Sequence, residues 1–213
     1  MENKPVVESE PRILEATGDN GKLLLTSDYY NREHVTAEVP QYEGMATGQT
    51  VGVRWRGPAV PPYDSPIRIV PFPAILTFDI PRYEVLDAIG SAVVVTFTVQ
   101  RGAQQPIEWS LPLNLRVQGT ALPAPTIAVS GTTATVTVTY PSQATGQRVH
   151  VRWQGTVVHD TEQQSVTPGT PNVFHIPPAW VSQNSGKMVY INYAVGTTSG
   201  DPYLFSRTLR KQL

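Results

Sequence analysis

The chain has 213 residues with 16 Lys/Arg against 17 Asp/Glu, a net charge of −1, and no cysteine. That near balance does not mark nucleic acid or an anionic membrane as a partner, and the missing cysteines exclude disulfides, thiol catalysis and cysteine-based zinc sites together. The length allows one large domain or two small ones, either able to bury a core.

The charge is divided unevenly. Through Gly119 there are 14 Asp/Glu and 10 Lys/Arg, a net of −4; from Thr120 onward there are 3 and 6, a net of +3. The start, MENKPVVESEPR, is charged and has no apolar h-region, so no signal peptide is visible. No apolar run approaches the ~20 residues that a membrane-spanning helix needs, so no membrane insertion is expected. Proline is 20 of 213 and is scattered between β-like runs, which suits many short strands joined by stiff turns.

In chain order, Glu10-Pro11-Arg12-Ile13 leads into a stretch, Ala16–Ala37, that includes Ser27-Asp28-Tyr29-Tyr30-Asn31. A turn follows at Tyr42-Glu43-Gly44-Met45. Then Val51, Val53 and Trp55 alternate with Gly52, Arg54 and Arg56, a period of two that predicts a strand with one buried face. Strands are predicted at Ile67–Val70 and Ala74–Ile80. A short helical piece over Pro81–Ala88 opens on a proline, as a first helical position does, and stops near Gly90. Val93, Val95, Phe97 and Val99 then point one way and Val94, Thr96 and Thr98 the other, followed by a strand at Leu111–Val117.

The same order then recurs. TGQTVGVRWRG at 47–57 is answered by TGQRVHVRWQG at 145–155, 98 residues on. Phe78-Asp79-Ile80-Pro81 is answered by Phe174-His175-Ile176-Pro177, 96 residues on. Val93, Val95, Phe97 and Val99 are answered by Val189, Ile191, Tyr193 and Val195, and Ser110 and Leu113 by Ser206 and Leu209. Strands are predicted at Thr133–Tyr140 and Tyr203–Leu209 and a helical piece at Pro177–Gln183. Preserved order with a drift of two residues is the mark of a tandem duplication. The reading is all-β: two tandem immunoglobulin-like β-sandwich domains, 1–119 and 120–213, joined by a short Pro-containing linker within Arg116 to Thr126. Trp55 and Trp153, Phe97 and Tyr193, and Phe78 and Phe174 are the predicted core. With no disulfide to pack on, each Trp relies on aliphatic neighbours, and truncation to Ala would cost ~3 kcal/mol or more. From Ile13 to Trp55 the first copy holds about 16 residues more than the second does from Ile127 to Trp153, an insertion within 16–37.

The Pro-x-Pro start, the Tyr-x-Gly-Met-x-x-Gly turn (Tyr42, Gly44, Met45, Gly48), the V-x-V-x-W-x-G strand (Trp55, Gly57), the F-x-I-P crossing (Ile80, Pro81) and the late valine-rich strand resemble the tandem immunoglobulin-like repeats of long bacterial surface or secreted proteins, especially those of pseudomonads and their relatives. The second copy carries Gly146, Trp153, Gly155, Ile176 and Pro177 of that pattern, with Pro141-Ser142-Gln143 in place of the Tyr-x-Gly-Met turn. The resemblance implies an adhesin-like, non-enzymatic structural or binding module, extracellular or at the cell surface as part of a larger protein. The absence of a visible signal peptide keeps a cytoplasmic location open.

Chemistry-bearing residues are few. Four His occur, and His159-Asp160-Thr161-Glu162 is the tight polar cluster beside one of them, in a predicted loop; the alternative to catalysis there is a solvated loop. His150 and His175 lack helical spacing and a third ligand, so no metal is expected. Junctional calcium would need oxygens in 117–126, which has none, and the second copy offers Asp160, Glu162 and Asp201. No cofactor motif occurs. Arg54 and Arg152, matched and outward, predict cross-strand polar partners. Tyr29, Tyr30, Tyr63, Trp180 and Tyr203 are aromatics outside the strand pattern. Tyr29, Tyr30 and Trp180 are the candidate ligand-binding residues, for a protein or a glycan on a cell surface. A carbohydrate-binding module, alone or appended to an enzyme, is the alternative reading. Sequence alone leaves the oligomeric state unassigned.

Overall fold

The computed structural model describes residues 6–197 and 203–213; the first five residues and Asp201 lie outside the described residues. The chain divides into two compact units, Met1–Gly119 and Thr120–Leu213, and each is built mainly of β-strands.

In the first unit, Ala92–Gln100 is the centre of the larger sheet. On one side it pairs antiparallel with the Trp55 strand, Thr50–Arg56, which sets Val53 against Phe97 and Trp55 against Val95. On the other it pairs with Ile107–Ser110 and then Leu113–Val117, one strand broken at Leu111-Pro112. The outer side of that broken strand takes Val6–Val7 and Leu23–Leu24, both parallel. The outer side of the Trp55 strand takes Tyr63–Asp64 and Arg68–Ile69. A second sheet runs Arg12–Ile13, His34–Val39, Leu76–Pro81, all antiparallel.

The second unit repeats this plan. Met188–Thr197 lies between Gln147–Gln154 and a broken strand, Leu204–Phe205 then Leu209–Gln212. Val158–Asp160 and Gln164–Ser165 take the outer side of the Trp153 strand. The smaller sheet is Thr126–Ser130, Thr133–Val138, Asn172–Ile176. The two sheets share one core, in which Trp153, Tyr193, Val149, Val151 and Ile191 of the larger pack with Val136, Phe174 and Ile176 of the smaller. Trp55, Phe97 and Phe78 are likewise buried in the first unit. Both indole Nε1 groups are buried without a hydrogen-bond partner, as is the Tyr193 hydroxyl. Such orphaned donors each cost on the order of 1–3 kcal/mol, which the burial of large rings outweighs.

The repeated Thr-Gly-Gln stretch has a physical basis in a glycine turn. Gly48 and Gly146 both sit at φ +88, a turn that glycine adopts without strain. The next residue reaches back: the Tyr42 hydroxyl donates to Gln49 Oε1 at 2.6 Å, and Tyr140 to Gln147 Oε1 at 2.8 Å. Tyr42 lies tilted on Phe97 and Tyr140 on Tyr193, each pair with centroids 5.9 Å apart. The second copy therefore keeps the turn with Pro141-Ser142-Gln143 in place of Glu43-Gly44-Met45. Tyr140-Pro141-Ser142-Gln143 stands in register with Tyr42-Glu43-Gly44-Met45, and Ser142 takes φ 66 where Gly44 takes 69.

A broken strand leaves amides of the central strand unpaired, and hydroxyls fill those places. Phe97 N donates to Ser110 Oγ and Tyr193 N to Ser206 Oγ, at 2.8 and 2.9 Å. On the other edge, Val53 N donates to Ser65 Oγ and Val151 N to Thr161 Oγ1, at 2.9 and 3.0 Å. Each serine passes its own proton to a carbonyl one residue on: Ser110 to Leu111, Ser206 to Arg207, Ser65 to Pro66.

Several predicted bounds shift. The strand predicted at 203–209 is interrupted at Ser206, and that predicted at 111–117 begins at Leu113. Pro81 and Pro177 cap the helices Arg82–Ala88 and Pro178–Ser182 instead of opening them, because both keep extended ψ. His159 lies in the strand Val158–Asp160, not in a loop.

Replacing Ser206 by Ala leaves the Tyr193 amide buried and unpaired, so urea denaturation should show a loss of about 1–3 kcal/mol. Tyr193→Phe should be neutral or stabilising by about 1 kcal/mol, because it removes an orphaned hydroxyl and the first copy carries Phe97 at that place. Burial pushes the phenols of Tyr29, Tyr42, Tyr140 and Tyr193 above the usual value. Their folded values lie above the unfolded ~10, so their contribution is complete below pH ~10 and is lost as pH rises through the raised values. In an alkaline titration followed by phenolate absorbance, these four of the nine tyrosines should ionise late and together with unfolding.

Candidate functional site

The three residues singled out for ligand binding fall in different settings. Tyr29 ends a four-residue helix, Thr26–Tyr29, within the insertion. Asp28 anchors this segment by accepting from Leu25 N at 2.8 Å and from Thr17 N at 3.2 Å. The Tyr29 ring is 3% exposed, and its hydroxyl donates to the Gln118 carbonyl at 2.7 Å. It holds the insertion to the end of the last strand, so it offers no face to a ligand and is corrected to a structural residue. Tyr30 is half-buried, and its carbonyl accepts from Arg82 Nη2 at 3.2 Å. Trp180 belongs to the second unit, on the helix Pro178–Ser182. It is half-buried against the core, with the His159 imidazole stacked on it at 4.4 Å and 7° between planes. That stack, absent from the sequence pattern, covers the ring face a sugar would need.

The region around this stack is an open groove of about 380 Å³ in the second unit, lined by Asp160, Thr161, Glu162, Gln164, Phe174, His175, Pro177 and Trp180. A groove of about 460 Å³ occupies the same place in the first unit, with Tyr63, Ser65, Arg68, Thr77, Phe78 and Asp79. Each lies where the short outer strands of the large sheet approach the edge strand of the small one. This is the open side of the sandwich, where the two sheets are not joined by a strand.

A matched ion pair lies on the strands beside each groove, and its Asp160 lines the second one. Arg54 Nε and Nη2 meet Asp64 Oδ1 and Oδ2 at 2.6 and 2.8 Å. Arg152 meets Asp160 the same way at 2.9 and 3.0 Å. The hydrogen-bonded Asp64 carboxylate holds the Arg54 guanidinium above its usual range. These are the cross-strand partners that the matched arginines predict, aligned by Arg54↔Asp64 and Arg152↔Asp160. In the first unit Arg54 also lies 4.9 Å over Trp109.

A nucleophilic mechanism at His159 would need a hydroxyl within reach of the imidazole. The His159 Nε2 is buried without a partner, and the nearby Thr161 hydroxyl is engaged by the Val151 amide. Asp160 is committed to Arg152. Among the described residues no group of three or more His, Asp or Glu is placed to hold a metal ion. No helix among them is long and apolar enough to cross a membrane.

The functional features missed in the sequence are the two grooves and the hydroxyls that fill the sheet breaks. The matched Ser110 and Ser206 were visible as repeat partners, but their role depends on which amides lie opposite.

No family model and no curated protein matches the chain. Among solved structures it is similar to a tetra-tandem repeat in the extending region of a large adhesion protein, at 9% identity and a TM-score of 0.33, over 85% of this chain and 45% of that one. It is also similar to a structure bearing on host cell surface retention of a 1.5-MDa bacterial ice-binding adhesin, at 15% identity and a TM-score of 0.34, over 99% of this chain and 65% of that one. The chain thus spans less than two thirds of the length of either.

Proposed function

We propose that the chain is a non-enzymatic structural and binding module of a bacterial surface or secreted adhesin-like protein, made of two immunoglobulin-like sandwiches joined through the Pro-containing segment after Gly119. The observation that carries this reading is the pairing of first and last strands in each unit. Val6–Val7 runs parallel to Trp109–Ser110, and Leu122 bridges Ser206 in the same sense. Leu122 N donates to the Phe205 carbonyl and Arg207 N to the Leu122 carbonyl, both at 2.9 Å. When entry and exit strands are parallel neighbours, tension applied to the two ends slides one along the other. The hydrogen bonds between them then load together in shear instead of opening one at a time. This geometry suits a spacer held under tension, and the family resemblance of the repeats points the same way.

The paired strand breaks agree with such a role, since Ser110, Ser206, Ser65 and Thr161 each take an amide of the same unit. The lectin-like alternative has less to stand on: Tyr29 is buried, and the Trp180 face is taken by His159. A surface location follows from the proposed family and not from any feature of the described residues.

The absence of cysteine makes site-specific attachment simple. Single-molecule extension between engineered terminal cysteines should give two unfolding steps, with contour gains of about 400 and about 300 Å at ~3.5 Å per residue. End-to-end pulling should need clearly more force than pulling on the second unit from a handle at Gly169. Equal forces in the two directions would remove the spacer reading.

A further inference from the structure

Because the chain carries one plan twice, each groove is a control for the other. In the first unit, Arg68 lays its guanidinium over the Phe78 ring, 5.5 Å from the centroid, and donates to the Thr77 carbonyl. Tyr63 donates its hydroxyl to the next outward carbonyl of the same edge strand, Asp79, at 3.3 Å. The first groove is therefore occupied by the chain's own cation, and its edge strand Leu76–Pro81 is capped at both places.

In the second unit, 96 residues on, Gln164 stands where Arg68 stands, Glu162 where Pro66 stands, and His159 where Tyr63 stands. Gln164 Nε2 reaches the equivalent carbonyl, Val173, at 2.9 Å, but its other end is held by Asn172 Nδ2 at 3.2 Å. It carries no charge, so the groove wall at Phe174, 3% exposed, has an amide where the first unit has a guanidinium. His159 has turned onto Trp180, so the carbonyl of His175 has no side chain over it among the described residues. Ladder alternation puts the backbone of His175, like that of Asp79, on the outer side of an edge strand paired only with Thr133–Val138. At the rim, Glu162 adds an exposed carboxylate. The second unit has three acidic residues in all against six basic ones, and two of the three, Asp160 and Glu162, line this groove.

We propose that the second-unit groove docks an extended polypeptide segment carrying an arginine. The segment adds as a strand to the outer edge of Asn172–Ile176 at His175, and its guanidinium lies over Phe174 against Glu162, in the place that Arg68 fills in the first unit. The occupant's chemistry is read from the first copy. A cation lies over this phenylalanine in the first copy; the second has Gln164 in place of that cation and the carboxylate of Glu162 in place of Pro66. Strand addition supplies affinity from the main chain and the arginine supplies selectivity. This names a partner class and rests on the reading of the chain as a scaffold and binding module.

The test titrates the full chain with a capped, fluorescein-labelled heptapeptide, Thr-Val-Thr-Arg-Thr-Val-Thr, and with the same peptide carrying Gln at its centre. Binding should favour the arginine peptide by about tenfold, weaken with added salt, and fall by about tenfold in Glu162→Gln. Gln164→Arg, which rebuilds the first unit's internal plug, should abolish binding while leaving the thermal midpoint unchanged or higher. Equal binding of the two peptides, no binding at millimolar peptide, or unaltered binding by Gln164→Arg would overturn the proposal. Retention on a polysaccharide without peptide binding would overturn it as well, in favour of a glycan ligand. A chain that resists shear but ignores the peptide loses this proposal alone, while one that fails the extension experiment loses the spacer reading whatever the peptide does.

Discussion

Two sheets with no cysteine between them must be held apart and together by packing alone, and in each unit one tryptophan sets that gap. Trp55 and Trp153 are 1% and 0% exposed, each one residue from the end of the longest ladder of its unit. Their indole nitrogens remain without partners in both copies. The same unpaired donor, kept twice, shows that filling the space between the sheets outweighs satisfying one N–H. A ring of this size removes far more apolar area from water than any smaller residue could.

Given that gap, the remaining constraint is hydrogen bonding along the central strands. Ala92–Gln100 and Met188–Thr197 are flanked on both sides, yet one neighbour is broken at Ser110 or Ser206. The break lets the last strand bend along the twisted sheet, and the serine hydroxyl takes the amide that the bend abandons. The same device on the opposite flank uses Ser65 in one copy and Thr161 in the other. Ser110 and Ser206 accept from the central strand, Ser65 and Thr161 from the tryptophan strand beside it, and each serine donates to a carbonyl one residue on, so these four amides are paired.

The copies differ where the fold does not demand likeness. The insertion between Ile13 and His34 adds a parallel strand, Leu23–Leu24, and a short helix pinned by Asp28 and Tyr29. The grooves differ in charge and in occupancy, Arg68 in one and Gln164 in the other, while Phe78 and Phe174 stay buried beneath them. Divergence above an unchanged floor is the pattern of a scaffold whose surface is free to take on separate contacts.

Periodicity in the sequence was enough for the β-class, and the structure buries residues such as Val53, Trp55, Phe97, Val151, Trp153 and Tyr193. Alternation of period two can be satisfied only by strands with one side buried, and 96- to 98-residue recurrence carries that reading from one copy to the other. The pairing of strands remote in sequence was decided in three dimensions. Whether Ser206 is a strand residue or a plug depends on the Tyr193 amide opposite it. Whether Tyr140 ends a strand or opens the second Tyr turn depends on Gln147 lying beneath it. Tyr29 and Trp180 look alike as unassigned aromatics. One is buried by Gln118, 89 residues away, and the other is covered by His159, because contacts between distant segments, not local pattern, determine which ring faces water.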